Sequence, residues 1–310
     1  MLSIFPSLFL LALPLLSAAA AELHPESGNP LETDIAAVRK AAEKGDPKAE
    51  HRLGDMYFQG RVIEPDNAQA LLWFKKSAGK GYAPAQDDLG FMHYEGLSIT
   101  KDIVQARNWF FKAAKQGYAP AERKLGQMWR RGEGSKKDSD EALKWLTKAA
   151  QHGDSAAQYD LGQMYELGET ADPDLPQALA WYRRAAEKGQ ADAQYSVAKI
   201  LYRKGKAYYA DAFSWYERAA QQGHPRAQFR LATMYELGQG TEKKPEESLK
   251  WLQTAAIAGS TRAQARLGLL LQSGSGGVSR DAMQAAGWLR IAAEKGDASA
   301  QSTLGAMHRN

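Results

Sequence analysis

Tryptophan recurs at a nearly fixed interval along this chain, at Trp73, Trp109, Trp145, Trp181, Trp215, Trp251 and Trp288. The intervals are 36, 36, 36, 34, 36 and 37 residues. An Ala stands five residues after each Trp and a Gly eight after, as in Ala186 and Gly189. A second marker precedes each Trp by about 20 residues. It reads Leu53-Gly54, Leu89-Gly90, Leu125-Gly126, Leu161-Gly162, Val197-Ala198, Leu231-Ala232 and Leu267-Gly268, and returns at Leu304-Gly305. Such self-similarity marks a repeat array, whose short units cannot bury their own apolar face and must stack on neighbours. The pattern defines seven full units over residues 46–299 and a half unit over 300–310, so a length of 310 residues does not imply two conventional domains.

Each unit reads as helix–turn–helix. In helix A the apolar residues Ala157, Leu161, Met164 and Tyr165 fall at i, i+4, i+7 and i+8, one helical face. Pro47, Pro84, Pro120 and Pro225 sit in its first turn, where a missing N–H costs nothing. A Gly seven residues after the marker Leu closes helix A in six units: Gly60, Gly96, Gly132, Gly168, Gly238 and Gly274. The fifth unit has Gly205 one residue later and a shortened loop. Helix B carries Ala, Trp, Ala and Ala and stops at the next Gly. Composition agrees: the chain has 53 Ala but only 13 Ile and Val together, which favours helix and disfavours sheet. Ile35 to Lys44 copies the end of helix B without its Trp, so residues 35–45 read as an N-terminal capping helix. Ala300 to His308 reads as a lone helix A at the other end. The expected fold is all-α.

The uncharged apolar run Ile4 to Leu16, followed by the small residues Ser17 to Ala21, reads as a signal peptide over 1–21 cut after Ala21. Pro6 and Pro14 interrupt a run already short for a membrane span. Residues 22–34, with Pro25, Gly28 and Pro30, read as a flexible leader. The expected location is periplasmic or secreted, with membrane contact only through a partner or an uncleaved signal.

The units closely resemble the Sel-one-like repeat family, relatives of the tetratricopeptide repeats. Leu161 to Gly168 followed by Ala178 to Gly189 is the cleanest copy, and the likeness covers about residues 46–310. The resemblance implies a right-handed α-solenoid with a concave groove. It also implies an adaptor, assembly scaffold or regulator in an exported compartment. Some exported bacterial members neutralise a lipase toxin of type VI secretion; others act on envelope sensors or polysaccharide machinery. The expected partner is therefore another protein, such as a secreted toxin or an envelope sensor. An envelope glycan or lipid is the alternative.

Function in a solenoid is expected where units differ from one another. The positions two before, two after and five after each marker Leu share a helix-A face distinct from the core face. They read His51-Asp55-Phe58, Asp87-Phe91-Tyr94, Arg123-Gln127-Arg130, Tyr159-Gln163-Glu166, Tyr195-Lys199-Tyr202 and Phe229-Thr233-Glu236, ending at Ala265-Leu269-Gln272. Aromatic and Arg residues presented to solvent are typical of binding hot spots, so this stripe is the expected partner groove. A second candidate is basic: Arg123, Lys124, Arg130, Arg131, Lys136 and Lys137 crowd the third unit beside Trp129.

Little suggests catalysis, and no cofactor is expected. Cysteine is absent, which excludes disulfides, thiolate metal sites and a Cys nucleophile. His24, His51, His93, His152, His224 and His308 form no zinc-helix pair of the protease type. Ser273 to Gly277 is Gly-rich but lacks the Lys-Ser/Thr of a phosphate loop, so it reads as a turn. Asp87 and Asp88 are compatible with a surface position and are poor candidates for an acid/base pair. A net charge of +4 with pI near 9.0 is too mild for a nucleic-acid binder of this length.

Overall fold

The computed structural model describes residues 35–60 and 63–307; the expected signal peptide, the leader and His308 lie outside them. Two compact units divide after His152. In the first, α1 (Ile35–Glu43) precedes three helix pairs: α2 (Pro47–Gln59) with α3 (Asn67–Gly79), α4 (Ala83–Glu95) with α5 (Ile103–Ala114), and α6 (Ala119–Arg131) with α7 (Ser139–Gln151). The second holds four pairs: α8 (Ser155–Leu167) with α9 (Leu175–Glu187), α10 (Ala191–Arg203) with α11 (Tyr209–Gln221), α12 (Pro225–Leu237) with α13 (Pro245–Ile257), and α14 (Thr261–Ser273) with α15 (Ala282–Glu294). A lone helix, α16 (Ala298–Met307), follows. No strand occurs among the described residues. This is the all-α, helix–turn–helix solenoid architecture, in which, within each compact unit, a helix packs on its pair partner and on its sequence neighbours.

The helix ends follow from local chemistry. Gly60, Gly96, Gly132, Gly168, Gly238 and Gly274 cap the A helices in the left-handed region, each returning its N–H to the carbonyl four residues back. A Cβ there would be strained, which is why this position is Gly. In the fifth pair a short 3-10 turn, Lys206–Tyr208, replaces the usual loop. The B helices open on Asp66, Asp102, Asp138, Asp174 and Asp281, whose carboxylates accept from first-turn N–H groups. These caps stand seven residues before Trp73, Trp109, Trp145, Trp181 and Trp288.

The centre of each pair is not the Trp but the residue after it. Phe74, Phe110, Leu146, Tyr182, Tyr216, Leu252 and Leu289 are all buried. Where the marker is Gly, the residue after the Trp presses on it: Phe74 on Gly54, Phe110 on Gly90, Leu146 on Gly126, Tyr182 on Gly162 and Leu289 on Gly268. A Cβ on Gly162 would stand 2.5 Å from the Tyr182 ring, and one on Gly54 2.6 Å from Phe74. The Gly is thus a socket that lets two helices close on an aromatic. Among the Trp residues only Trp145 is buried; the others are partly buried, and Trp73, Trp109, Trp215, Trp251 and Trp288 pack as wedges against cores. On five of them the solvent side is covered by the cation three residues on. Lys76 stands 3.8 Å from the Trp73 ring, Lys112 3.8 Å from Trp109, Lys148 4.3 Å from Trp145, Arg184 4.4 Å from Trp181 and Arg218 4.6 Å from Trp215.

Candidate functional site

The helix-A stripe expected to face solvent is only partly exposed. His51 and Asp87 are buried, and Asp55, Phe58, Phe91, Tyr94, Arg123, Gln127, Arg130, Tyr159, Gln163, Tyr195, Lys199 and Phe229 are partly buried. The reason is a ladder of contacts between successive pairs. The residue two before one marker meets the residue one before the next. His51 Nε2 lies 2.7 Å from Asp88 Oδ2, and Lys124 Nζ donates to Asp87 Oδ2 at 2.9 Å. Tyr159 faces Ser196 on the following helix A, whose hydroxyl offsets part of the upward push that burial gives the tyrosine's pKa. The position five after the marker does likewise. Tyr94 donates to Glu133 (2.9 Å), Tyr202 to Gln239 (2.8 Å), Lys199 to Glu166 (2.7 Å) and Arg266 to Glu236 (2.7 Å). The aromatics pack as well: Tyr159 sits 5.4 Å from Tyr182, and Tyr195 stacks 4.7 Å from His224. Much of the variation along the stripe is therefore complementarity between neighbours.

A second ladder runs under the first. Buried Gln86, Gln194, Gln228 and Gln264 donate to Ala78, Ala186, Ala220 and Ala256, carbonyls in the last turn of the preceding helix B. They satisfy acceptors that a helix end leaves over. Where Glu replaces Gln, a basic side chain answers: Lys80 Nζ lies 2.6 Å from Glu50 and His152 Nδ1 2.7 Å from Glu122.

Electrostatics concentrate in the first unit. Asp87 and Asp88, compatible with a surface position by sequence, are each 1% exposed. Burial pushes the Tyr118 hydroxyl far up, and Asp87, Asp88 and Asp55 add to it, so three carboxylates converge there. Burial also opposes charge on His51, but Asp88, with Asp55 and Asp87, outweighs it and raises its pKa. His51, Asp55 and Asp88 form the one group among the described residues whose donor atoms could meet on a metal ion. The basic cluster of the third pair is partly consumed: Lys124 is held by Asp87, while Arg131 lies 3.6 Å from Glu133. Ser273 to Gly277 forms the expected turn after α14.

In the second unit the stripe opens into a cavity of about 330 Å³ between α12, α13 and α14. Phe229, Leu249, Leu252 and Leu270 give it an apolar wall, and the Glu236–Arg266 pair lies among its lining. Leu237, 57% exposed, also lines it.

Stacked helix pairs with polar ladders define a helical-repeat scaffold. Seven consecutive segments, 47–82, 83–118, 119–154, 155–190, 191–224, 225–260 and 261–297, match the Sel1 repeat, and the chain belongs to that family. Sel1 repeats generally serve as protein–protein interaction scaffolds. A Sel1 repeat protein from Oxalobacter formigenes is 30% identical over 94% of this chain and 85% of its own, with a TM-score of 0.71. The protein c5321, a protective antigen of uropathogenic Escherichia coli with the SLR fold, is 30% identical over 88% of this chain and 67% of its own, TM-score 0.66. The immunity protein Pa5087 from Pseudomonas aeruginosa is a looser likeness, at 22% identity over 78% of this chain and 80% of its own, TM-score 0.42. No curated protein matches the chain.

Proposed function

We propose that this protein is a non-catalytic scaffold that holds a partner protein against its A helices. The observation that carries the reading is the apolar cavity beside Phe229. An array gains nothing in stability from an open cavity next to the exposed Leu237, whereas a partner side chain fills it. Phe58, Phe91 and Tyr94 extend a partly buried aromatic surface in the first unit, with Phe58 and Phe91 6.2 Å apart, edge to face. The ladder residues His51, Asp87 and Tyr159 serve this function as supports for the A helices rather than as anchors.

The sequence from Ile4 to Ala21 supports export, so the partner sought is an envelope or secreted protein. No helix among the described residues is long and apolar enough to cross a membrane. Site-specific photo-crosslinking in cells tests the reading. A crosslinker at Leu237 captures one discrete protein, and Thr233→Arg, which fills the cavity mouth, abolishes the capture. A crosslinker at Met283, 82% exposed and outside the cavity, does not capture it. Equal capture from both positions refutes the assignment.

A further inference from the structure

The B helices carry departures of their own. Two residues after the repeated Trp, six repeats have a polar residue and one has Phe111. Six residues after it, Lys115 is the one cation. Both line an open cleft of about 610 Å³ between α5 and α7 of the first unit. Phe111 is 43% exposed and meets the Trp145 ring edge to face, with centroids 5.8 Å apart. The carboxylates of the cleft already have partners. Glu141 accepts from Trp145 Nε1 at 3.2 Å and from Lys144 at 2.9 Å, and His152 meets the buried Glu122 at 2.7 Å. Lys115 and Lys148 are left over. Among the described residues neither has an ion pair, and their ammonium groups stand 5.5 Å from the Phe111 ring and 4.3 Å from the Trp145 ring. Nor does Lys115 close the turn after its helix. Lys80, Lys188 and Lys295, one place later in their repeats, donate to the carbonyls of Gly45, Gly153 and Gly259.

We propose that this cleft on the B helices binds an acidic segment of a partner protein, which sets an apolar side chain against Phe111 and carboxylates beside Lys115 and Lys148. The site is distinct from the cavity beside Phe229 and adds a second surface to the scaffold. Charge argues for the occupant. Four basic side chains line the cleft, and only Lys144 and His152 are offset within it. Two cations without counter-charges attract carboxylates and steer their approach. An exposed aromatic beside them supplies the apolar contact that a protein segment uses and a bare anion does not. The volume is that of a pocket which takes a few side chains. A flat bilayer does not enter a recess between two helices. Glu122 and Glu141 in the lining disfavour a phosphate, which carries more negative charge than a carboxylate.

Fluorescence anisotropy of the full chain with a short fluorescein-labelled peptide, one leucine between two runs of glutamate, tests this. Saturable binding is expected, weakening with added salt. The same peptide with glutamine for glutamate binds at least about tenfold more weakly. Lys115→Glu combined with Lys148→Glu weakens binding by at least about tenfold, and Phe111→Ser does so with the charges intact. Lys243→Glu combined with Lys244→Glu makes the same change of charge on the exposed loop before α13 and leaves binding within about twofold. That control separates a site from the general attraction of a basic chain. Far-UV circular dichroism confirms that each variant is folded. Should the cleft double variant fail to fold, Lys115→Gln, at an exposed position just past α5, decides the matter. No saturable binding by the wild type overturns the assignment, as do equal losses in the two double variants. Tighter binding of heparin or of phosphatidylglycerol vesicles than of the peptide, lost in the cleft double variant, overturns the acidic protein segment as the occupant.

Discussion

Replacing Trp181 and replacing Tyr182 separate two accounts of what holds a repeat together. The repeated Trp is the obvious core residue in the sequence, yet Tyr182 is the residue at 1% exposure while Trp181 is half-buried. Truncating a fully buried large aromatic to Ala costs about 3–5 kcal/mol. Tyr182 also donates to Glu166 at 2.8 Å, worth about 1 kcal/mol here because Glu166 keeps Lys199 as a partner. Tyr182→Ala therefore costs about 4–6 kcal/mol, and Tyr182→Phe about 1 kcal/mol. Trp181 is partly exposed, and its outer face is stacked by Arg184, so its loss is expected to fall below that of Tyr182→Ala, at about 2–4 kcal/mol. Urea unfolding followed by circular dichroism measures the order, provided the slope with denaturant is unchanged. Because long arrays unravel by parts, hydrogen exchange across α8 and α9 gives the local value. A Trp181→Ala loss equal to or above that of Tyr182→Ala refutes the socket reading.

Four further outcomes are expected. Gly162→Ala destabilises by about 1–3 kcal/mol by overpacking on the Tyr182 ring, and Tyr182→Leu in the same chain recovers part of the loss in thermal melts. Lys124→Met leaves the buried Asp87 charge without its ammonium partner and costs about 2–4 kcal/mol, discounted because Lys124 is 21% exposed; adding Asp87→Leu recovers much of it in a double-mutant cycle. Asp174→Ala removes the cap of α9 and costs about 1 kcal/mol by chemical denaturation. Burial pushes Glu166 up, but Lys199 and Tyr182 outweigh it and hold its pKa below 4.5; its contribution is thus present above pH 4.5 and lost as pH falls below it, and Lys199→Met flattens that acid dependence of the melting temperature.

The period, the helix pairs and the glycine caps were all legible in the sequence because they are set by local chemistry that each repeat restates. Leu161-Gly162, Gly168 and Gly189 report directly on a close approach, a left-handed cap and a stop. The socket was less legible. Positions such as Phe74, Leu146 and Tyr182 share only size and apolarity, so no single letter marks them in every repeat, while the conspicuous Trp beside them recurs in all seven. The Asp caps were visible seven residues before five of the Trp residues but carry no apolar signal and went unread.

Part of the stripe is taken up by contacts between repeats, for a physical reason that applies to any stacked array. Two demands make repeats differ: recognition of a partner, and recognition of the next repeat. Seen one unit at a time, both appear as departures from the consensus on a face that is not the core. They separate only when each residue is compared with the one about 37 positions on. His51 with Asp88, Asp87 with Lys124 and Tyr159 with Ser196 are complementary across that step. The charge at a rung reverses between adjacent repeats, so a repeat shifted out of order would set Asp against Asp or Lys against a hydroxyl, a device that fixes register by penalising the alternatives. Residues left over once such pairs are removed form a smaller set, and Phe229 beside its cavity is the member whose surroundings a partner would complete.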